Sequence, residues 1–503
     1  MIKSIISTIV KKYHQIPIWL VLVFGLVLVL RIPSFFEPFS YGDEMIYLTL
    51  GQAIKKGMVL YRDIHDNKPP LLYILAGIAG NVFWFRAMLA AWSLATIYLF
   101  WRLMDALFPH KKPLQKLATI IFAILTTIPL FEGHVANAEV FMIGPTLAAF
   151  LILFTKTLNA KNLFFSGVLF SIATLFKVPA AFDFPVILVF WLIFLDFKRL
   201  WKDWLRKSIP LTVGFLVPIG LTFIWYFIRG GLSQYIVAAF GQNIGYLSSW
   251  RPNDVVEPFL VRNAPLLIRA GVVALGTVIL FYFRKKLSRP FVFVTLWILF
   301  SLFAVTLSER PYPHYLIQAV PALSILVAMF FTEKTLEQIL VLIPIGLFVF
   351  TPVYFNFWSY PIIPYYTRFI DFASGKIDKE GYFSRFDGNV ARNYEISRFI
   401  NQTTSVNDKI FVWGDSPPVY ALTRRFPPGK YVATYHIIDF SSPKETIQTL
   451  EKDLPAIIVV LPDSPEFKEL TLLLRDSYLF VQDIDGAEIW FLQNPTVRSF
   501  LAK

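Results

Sequence analysis

Asp43 and Glu44 stand side by side in the stretch YGDEMIYLTL, just beyond an apolar run long enough to cross a bilayer. A carboxylate held at the start of a helix is well placed to accept a proton. The structural alternative is that Asp43 caps the helix while Glu44 answers its dipole. Some twenty residues on comes RDIHDNKPPLLYIL, Arg62 to Leu75. Pro69 and Pro70 suit the first positions of a helix, so Lys68 sits at that helix's positive end. A cation there is unfavourable unless it shares an anion, and a lysine beside helix-terminal N–H groups makes a phosphate site. Snorkelling of Lys68 to lipid headgroups competes with this reading. Together the two stretches point to chemistry on a phosphate-bearing lipid.

Other candidates lie further along. Glu139 opens an apolar run and is either a second acid of the site or a helix-terminal charge. Lys177 ends another run, and Arg310, His314 and Tyr315 form a turn with Gln318 one helical turn away. That cluster suits a phosphate or sugar as well as it suits interfacial anchoring. Glu132, His134, His65 and Asp66 could be imagined around a divalent metal, but they lack the spacing on one helix that an open metal site favours. No cofactor is therefore assigned, and a divalent metal stays open as the alternative.

These residues need a frame. The chain has 503 residues, 56% hydrophobic and only 16% charged, with 51 Phe. Such a composition belongs to a polytopic α-helical membrane protein. The net charge of +13 reflects basic loops between apolar runs, and no aromatic-interleaved basic platform for nucleic acid is present. The absence of Cys excludes disulfides and thiolate metal sites. About eleven spans are expected, near 17–33, 85–101, 117–131, 138–155, 162–176, 179–195, 209–228, 264–283, 290–307, 314–331 and 338–355. Basic clusters at Lys3–Lys12, Arg102–Lys116, Lys198–Lys207 and Arg284–Arg289 then share one side, consistent with a cytoplasmic N-terminus. The basic, apolar N-terminus reads as a retained first span.

On this threading 34–84 is one external loop, in which 71–83 lies in the interface or re-enters. Residues 44–57 form an amphipathic helix lying on the membrane, with Ile46, Leu50, Ala53 and Ile54 opposite Glu44, Gln52, Lys55 and Lys56. Gly230, Gly231 and the loop to Arg262 suggest a gate. The first 356 residues make the membrane domain. After an irregular connection around 356–390, residues 357–503 hold a small external α/β domain: strands KIFVWG and AIIVVLP, two helices opened by Ser-Pro, and a hairpin turning at Asp485-Gly486.

The stretch from Gly42 to Leu75 resembles the first external loop of the GT-C glycosyltransferases, in particular bacterial relatives of the protein O-mannosyltransferases and the lipid A aminoarabinose transferase. The matching elements are Asp43-Glu44, Tyr61-Arg62-Asp63 and Lys68-Pro69-Pro70. The resemblance extends through NAEVFMIGPTLAAF, ATLFKVPA and ERPYPHYLIQAVPALSIL, and loosely to IFVWGDSPPVYALTRRFPP. One departure is Asn67, where the aminoarabinose transferase has an acid; Asp66 stands one position earlier. The resemblance implies an inverting transfer of sugar from a polyprenyl-phosphate donor to an acceptor hydroxyl outside the cell. Asp43 would act as base with Glu44 beside it. Lys68, Arg310, His314 and Lys177 would hold the donor phosphate, and Glu139, Asp66 and His65 would serve as acceptor-side or second acid groups. The acceptor (protein, lipid or glycan) stays open. A lipid-linked sugar flippase is the alternative, but transporters place charges near the midplane and carry inverted repeats, and neither is evident.

Overall fold

The computed structural model describes residues 16–195, 200–242, 258–308 and 310–493. Most of the N-terminal basic segment and residues 243–257 of the expected gate lie outside the described residues. The helices of the membrane domain are α1 (Ile18–Arg31), α2 (Gly42–Lys55), α3 (Leu71–Ala79), α4 (Val82–Leu107), α5 (Lys112–Leu125), α6 (Ala138–Thr155), α7 (Ala160–Phe176), α8 (Phe184–Ile193), α9 (Leu200–Ile228), α10 (Ala264–Phe283), α11 (Arg289–Val305), α12 (Val320–Thr332) and α13 (Leu342–Tyr354).

Seven stretches are long and apolar enough to cross a membrane: Ile18–Phe36, Val82–Leu107, Ala138–Thr155, Trp201–Ile228, Ala264–Phe283, Pro313–Thr332 and Leu336–Tyr354. The expected runs at 162–176, 179–195 and 290–307 are helices too short to meet that length alone, and the one near 117 is the 14-residue α5. The architecture is thus a multi-pass helical bundle, with seven full-length stretches and four shorter apolar helices among the described residues.

The starts of α6 and α10 and the ends of α7 and α11 line one cavity with the loop carrying α2 and α3, which puts them at one end of the bundle. The basic residues Arg102, Lys111, Lys112, Lys202, Arg206 and Arg284 to Arg289 fall at the other end, where Lys111 pairs with Glu333 at 2.7 Å.

The α2 helix is a correction. It was expected to lie on the membrane with its polar face free, yet every residue from Glu44 to Ala53 is buried. Its polar side is covered twice: Arg86 of α4 takes Glu44, and Gln52 donates to the Ala421 carbonyl of the C-terminal domain at 3.2 Å. Of the polar face, Lys55 and Lys56 remain exposed. The α3 helix spans nine residues, about 14 Å at 1.5 Å per residue. That is too short to cross. It ends at Gly80, whose φ of 74° only glycine adopts without strain. The two helices cross glycine to glycine: a Cβ on Gly51 would lie 2.3 Å from the Gly77 backbone nitrogen. This contact brings the start of α2 and the KPP segment to one place.

The connection expected to be irregular holds an amphipathic helix, α14 (Ile362–Ala373), tied back by Tyr365 to Glu37 at 2.6 Å and by Tyr366 to the Leu30 carbonyl at 3.2 Å. The C-terminal domain follows with α15 (Asn389–Thr403), β1 (Ile410–Trp413), α16 (Pro417–Thr423), α17 (Thr434–Phe440), α18 (Pro443–Lys452), β2 (Ile457–Val460), α19 (Lys468–Ser477), β3 (Tyr478–Ile484) and β4 (Ala487–Leu492). Its sheet has the order β1-β2-β4-β3, with β1 and β2 parallel and the other pairs antiparallel. The hairpin turns at Asp485 and Gly486, both with positive φ. Ser442 caps α18, whereas α19 starts only at Lys468, after the second Ser-Pro.

Candidate active site

Asp43 is the second residue of α2, so Tyr47 lies one turn on along the same face. The Tyr47 hydroxyl donates to Asp43 Oδ2 at 2.9 Å. Lys68 Nζ lies 3.5 Å from the same oxygen and 4.9 Å from the centre of the Tyr47 ring. On its other side Lys68 is 3.8 Å from Asp66 Oδ2. Asp66 is buried, accepting from the Tyr73 hydroxyl at 2.8 Å and from the Asn67 backbone N–H at 2.7 Å. The Tyr-Arg-Asp element builds the bend that delivers this lysine. Tyr61 adopts a left-handed φ of 72° and its hydroxyl donates to the Lys68 carbonyl at 2.8 Å. Asp63 accepts from the Val59 N–H at 2.7 Å and pairs with Arg62. One ammonium thus lies between two carboxylates, each steadied by a tyrosine.

A second polar cluster faces this one. Glu139 at the start of α6 pairs with Lys177 at the end of α7, and Lys177 also sits 3.6 Å above the Tyr315 ring. His314 bonds Glu132 through Nδ1, and its Nε2 lies 3.6 Å from Glu139. Tyr41 donates to Glu132 at 2.7 Å, and Asn137 donates to the Tyr41 hydroxyl at 3.2 Å. Glu132 reaches these partners from a left-handed φ of 58°.

Between the clusters lies a cavity of about 1180 Å³ at the loop-bearing end of the bundle. Asp43, Asp66, Lys68, Glu139, Lys177, Arg310 and His314 all line it. Burial would push the Asp43 carboxyl up, but Lys68, then His314 and the Tyr47 hydroxyl, outweigh this and hold it at about 2. Asp43 is therefore ionised at neutral pH. An ionised carboxylate and several cations facing one polar chamber can accept a proton and balance a growing anionic charge. Among the described residues, no three histidine or carboxylate side chains converge so as to hold a metal ion.

No family model matches the chain. It is similar to two proteins of Aquifex aeolicus strain VF5, each named only as an uncharacterized protein. One is 25% identical over 295 residues, 55% of this chain and 55% of that protein. The other is 21% identical over 448 residues, 84% of this chain and 96% of that protein. The chain thus spans about half the length of the first relative. Among solved structures, it aligns with ArnT from Cupriavidus metallidurans bound to undecaprenyl phosphate, at a TM-score of 0.56 and 14% identity, over 94% of this chain and 97% of ArnT. The chain shares the fold of that structure. An oligosaccharyltransferase of Archaeoglobus fulgidus aligns over 94% of this chain and 73% of its own, at 13% identity and a TM-score of 0.45, too distant to bear on the site.

Two expected site residues lie elsewhere in this fold. Glu44 does not line the cavity. It is fully buried against Arg86, whose Nε and second terminal nitrogen meet its two oxygens at 3.0 and 2.6 Å, and the Ala136 N–H adds a contact at 3.3 Å. Arg86 also pairs with Glu37 at 2.8 Å. Adjacent residues on a helix point about 100° apart at 3.6 residues per turn, so the neighbour of Asp43 faces the protein interior. Arg86→Met leaves two buried carboxylates without a cation and should cost about 3–5 kcal/mol of stability. Glu44→Gln, which leaves the Arg86–Glu37 pair intact, should keep activity within a few-fold. Thermal unfolding in detergent together with a turnover assay checks both. His65 is the second displacement. Its ring is packed under the C-terminal domain, 5.0 Å from Tyr431 and 5.4 Å from Phe440, with Nε2 at 3.1 Å from Gln242. Burial, first among several causes, lowers its pKa to about 4.

Sequence reasoning missed several residues of the cavity wall and of the shell behind it. Tyr47 was legible from its spacing to Asp43. Tyr41 and Asn137 carried no signal. Arg368 and Tyr360 come from the connection, and Tyr435, His436 and Asp439 from the C-terminal domain; only folding brings these segments to the cavity.

Proposed function

We propose that this protein is a membrane glycosyltransferase that moves a sugar from a polyprenyl-phosphate donor to an acceptor hydroxyl, with inversion at C1. The observation that carries the reading is the placement of Asp43 and Lys68, 3.5 Å apart on one wall of a large polar cavity at one end of the bundle. Asp43 takes the proton of the acceptor hydroxyl. The acceptor oxygen attacks C1 from the face opposite the phosphate, the C1–O bond breaks, and its electron pair leaves on the phosphate oxygen. The lipid phosphate thereby gains a negative charge. Lys68, with Lys177, Arg310 and His314 on the same cavity, balances that charge in the transition state more than in the ground state.

The two roles of Lys68 are coupled. While it pairs with Asp43 it keeps that carboxylate weakly basic. A donor phosphate that draws the ammonium away leaves Asp43 more basic, so the base strengthens once donor is bound. Glu139 holds Lys177 in place. The likeness to ArnT bound to undecaprenyl phosphate supports a polyprenyl phosphate as the lipid, and the cluster of cations supports the phosphate. The basic loops at the opposite end favour a cytoplasmic N-terminus and an external site and C-terminal domain. The gathering of ionisable groups at one end, instead of along a path through the bundle, favours an enzyme over a flippase.

The test is mass spectrometry of products after the purified protein in lipid is given a panel of polyprenyl-phosphate sugars with candidate acceptors. Transfer from at least one donor, with release of the free lipid phosphate, is expected. Movement of intact lipid-linked sugar between leaflets with no transfer would replace the enzyme with a transporter.

A further inference from the structure

Asp66 faces two ways. Its Oδ2 looks to Lys68 and Tyr73, while Oδ1 lies 3.6 Å from Nε2 of His436. His436 belongs to α17 of the C-terminal domain, more than 360 residues along the chain. That helix is fixed against the sheet: Gly414 N–H donates to Thr434 Oγ1 at 2.7 Å, and Tyr435 N–H to Asp415 at 3.0 Å. It is fixed against the loop as well, since the His65 N–H donates to the Lys430 carbonyl at 2.8 Å. His436 is almost completely buried, yet it lines the cavity, and its Nδ1 has no hydrogen-bond partner among the described residues. A buried imidazole placed only for packing would ordinarily have both nitrogens satisfied.

We propose that His436 completes the donor-phosphate site as a positioning residue, acting through Asp66 to free Lys68 and taking up a proton as the donor binds. This rests on the reading of the cavity as a polyprenyl-phosphate site. Two carboxylates, Asp43 and Asp66, share the single Lys68 ammonium in the empty site. For Lys68 to turn to a phosphate, the Asp66 charge needs another partner, and a protonated His436 is the cation within reach. The groups facing His436 are Asp66, Lys68 and Asp43 from the first loop, Asp439 from its own helix, and the neutral His65 ring at 6.2 Å. In the empty site burial is the main influence and lowers the His436 pKa, with Lys68 acting the same way and the three carboxylates opposing. A phosphate arriving at Lys68 adds negative charge and raises that pKa. Binding and protonation then favour one another, so donor affinity is highest at low pH and falls as pH rises from the lowered pKa of the free protein through the raised pKa of the complex.

The probe is a polyprenyl phosphodiester, whose single charge does not titrate near neutrality, bound to the full-length protein in lipid nanodiscs. Calorimetry in two buffers of different ionisation heat reads the proton uptake. For the native protein, affinity should fall from its acid limit to its alkaline limit by about tenfold for each unit of pKa rise on binding, with fractional proton uptake where it falls. His436→Gln should bind with the high-pH affinity throughout and take up no proton. Asp66→Asn, which removes the carboxylate His436 answers, should flatten the profile in the same way. A His436→Gln variant that keeps the native pH slope overturns the inference while leaving the donor reading in place. Failure of the phosphodiester to bind even the native protein overturns both.

Discussion

Asp43→Asn should reduce sugar transfer by about 10²–10⁴-fold while donor affinity stays within a few-fold of the native value. The asparagine keeps the size of the side chain and an oxygen to accept from Tyr47, which lies 2.9 Å from Oδ2 in the native site. Lys68 retains Asp66 at 3.8 Å, so the donor-holding group stays in position. What is lost is the charge, and with it the capacity to take a proton. Single-turnover transfer and equilibrium binding of the lipid donor, measured on the same preparation, separate the two effects. Transfer within tenfold of native would remove Asp43 as the base and leave Glu139 as the acid to examine.

Lys68→Met should act on the other half of the site, and twice. Losing a charged contact to the phosphate should weaken donor binding by about 10–100-fold, the equivalent of about 1.5–3 kcal/mol. It should also release Asp43. In the native site Lys68 is the main influence opposing burial, and the carboxyl is held at about 2. Without the ammonium, burial pushes it up to the ordinary range of ~3.9 or beyond. The acid limb of the transfer rate therefore moves to higher pH by about two units or more. The sign for stability follows. The depressed pKa of Asp43 contributes stability above the unfolded value of ~3.9 that is lost as pH falls towards about 2, and Lys68→Met should abolish that contribution. Unchanged donor affinity would refute the phosphate role; an unmoved acid limb would refute the coupling between the two residues.

Both predictions concern residues legible in the sequence. Asp43 follows the first apolar run, and Lys68 precedes two prolines at the start of a helix. These are local features, set by hydrophobic run length and helix-end chemistry, and the structure has both residues on one wall. Glu44 shows where local reasoning stops. Nothing in DE says which of two adjacent carboxylates faces the cavity; the partner that decides it, Arg86, lies 42 residues on in α4. The free polar face expected for α2 fails for a similar reason. Amphipathicity shows that a helix has two faces, and it cannot show that a distant domain covers the second one through Ala421.

The sequence by itself determined the helical membrane class, the small α/β domain with its hairpin at Asp485-Gly486, and the acid and cation at the ends of neighbouring elements. These depend on periodicity, run length and turn chemistry, which act over a few residues. Only the tertiary structure decided which groups share the cavity. Glu132 reaches His314 and His436 reaches Asp66 across hundreds of residues, and Glu139 reaches Lys177 across 38, because close helix crossings, such as glycine on glycine at Gly51 and Gly77, fix where each end lies. The electrostatic balance of a buried site depends on distances of 3–4 Å between remote segments, and one-dimensional pattern carries no record of them.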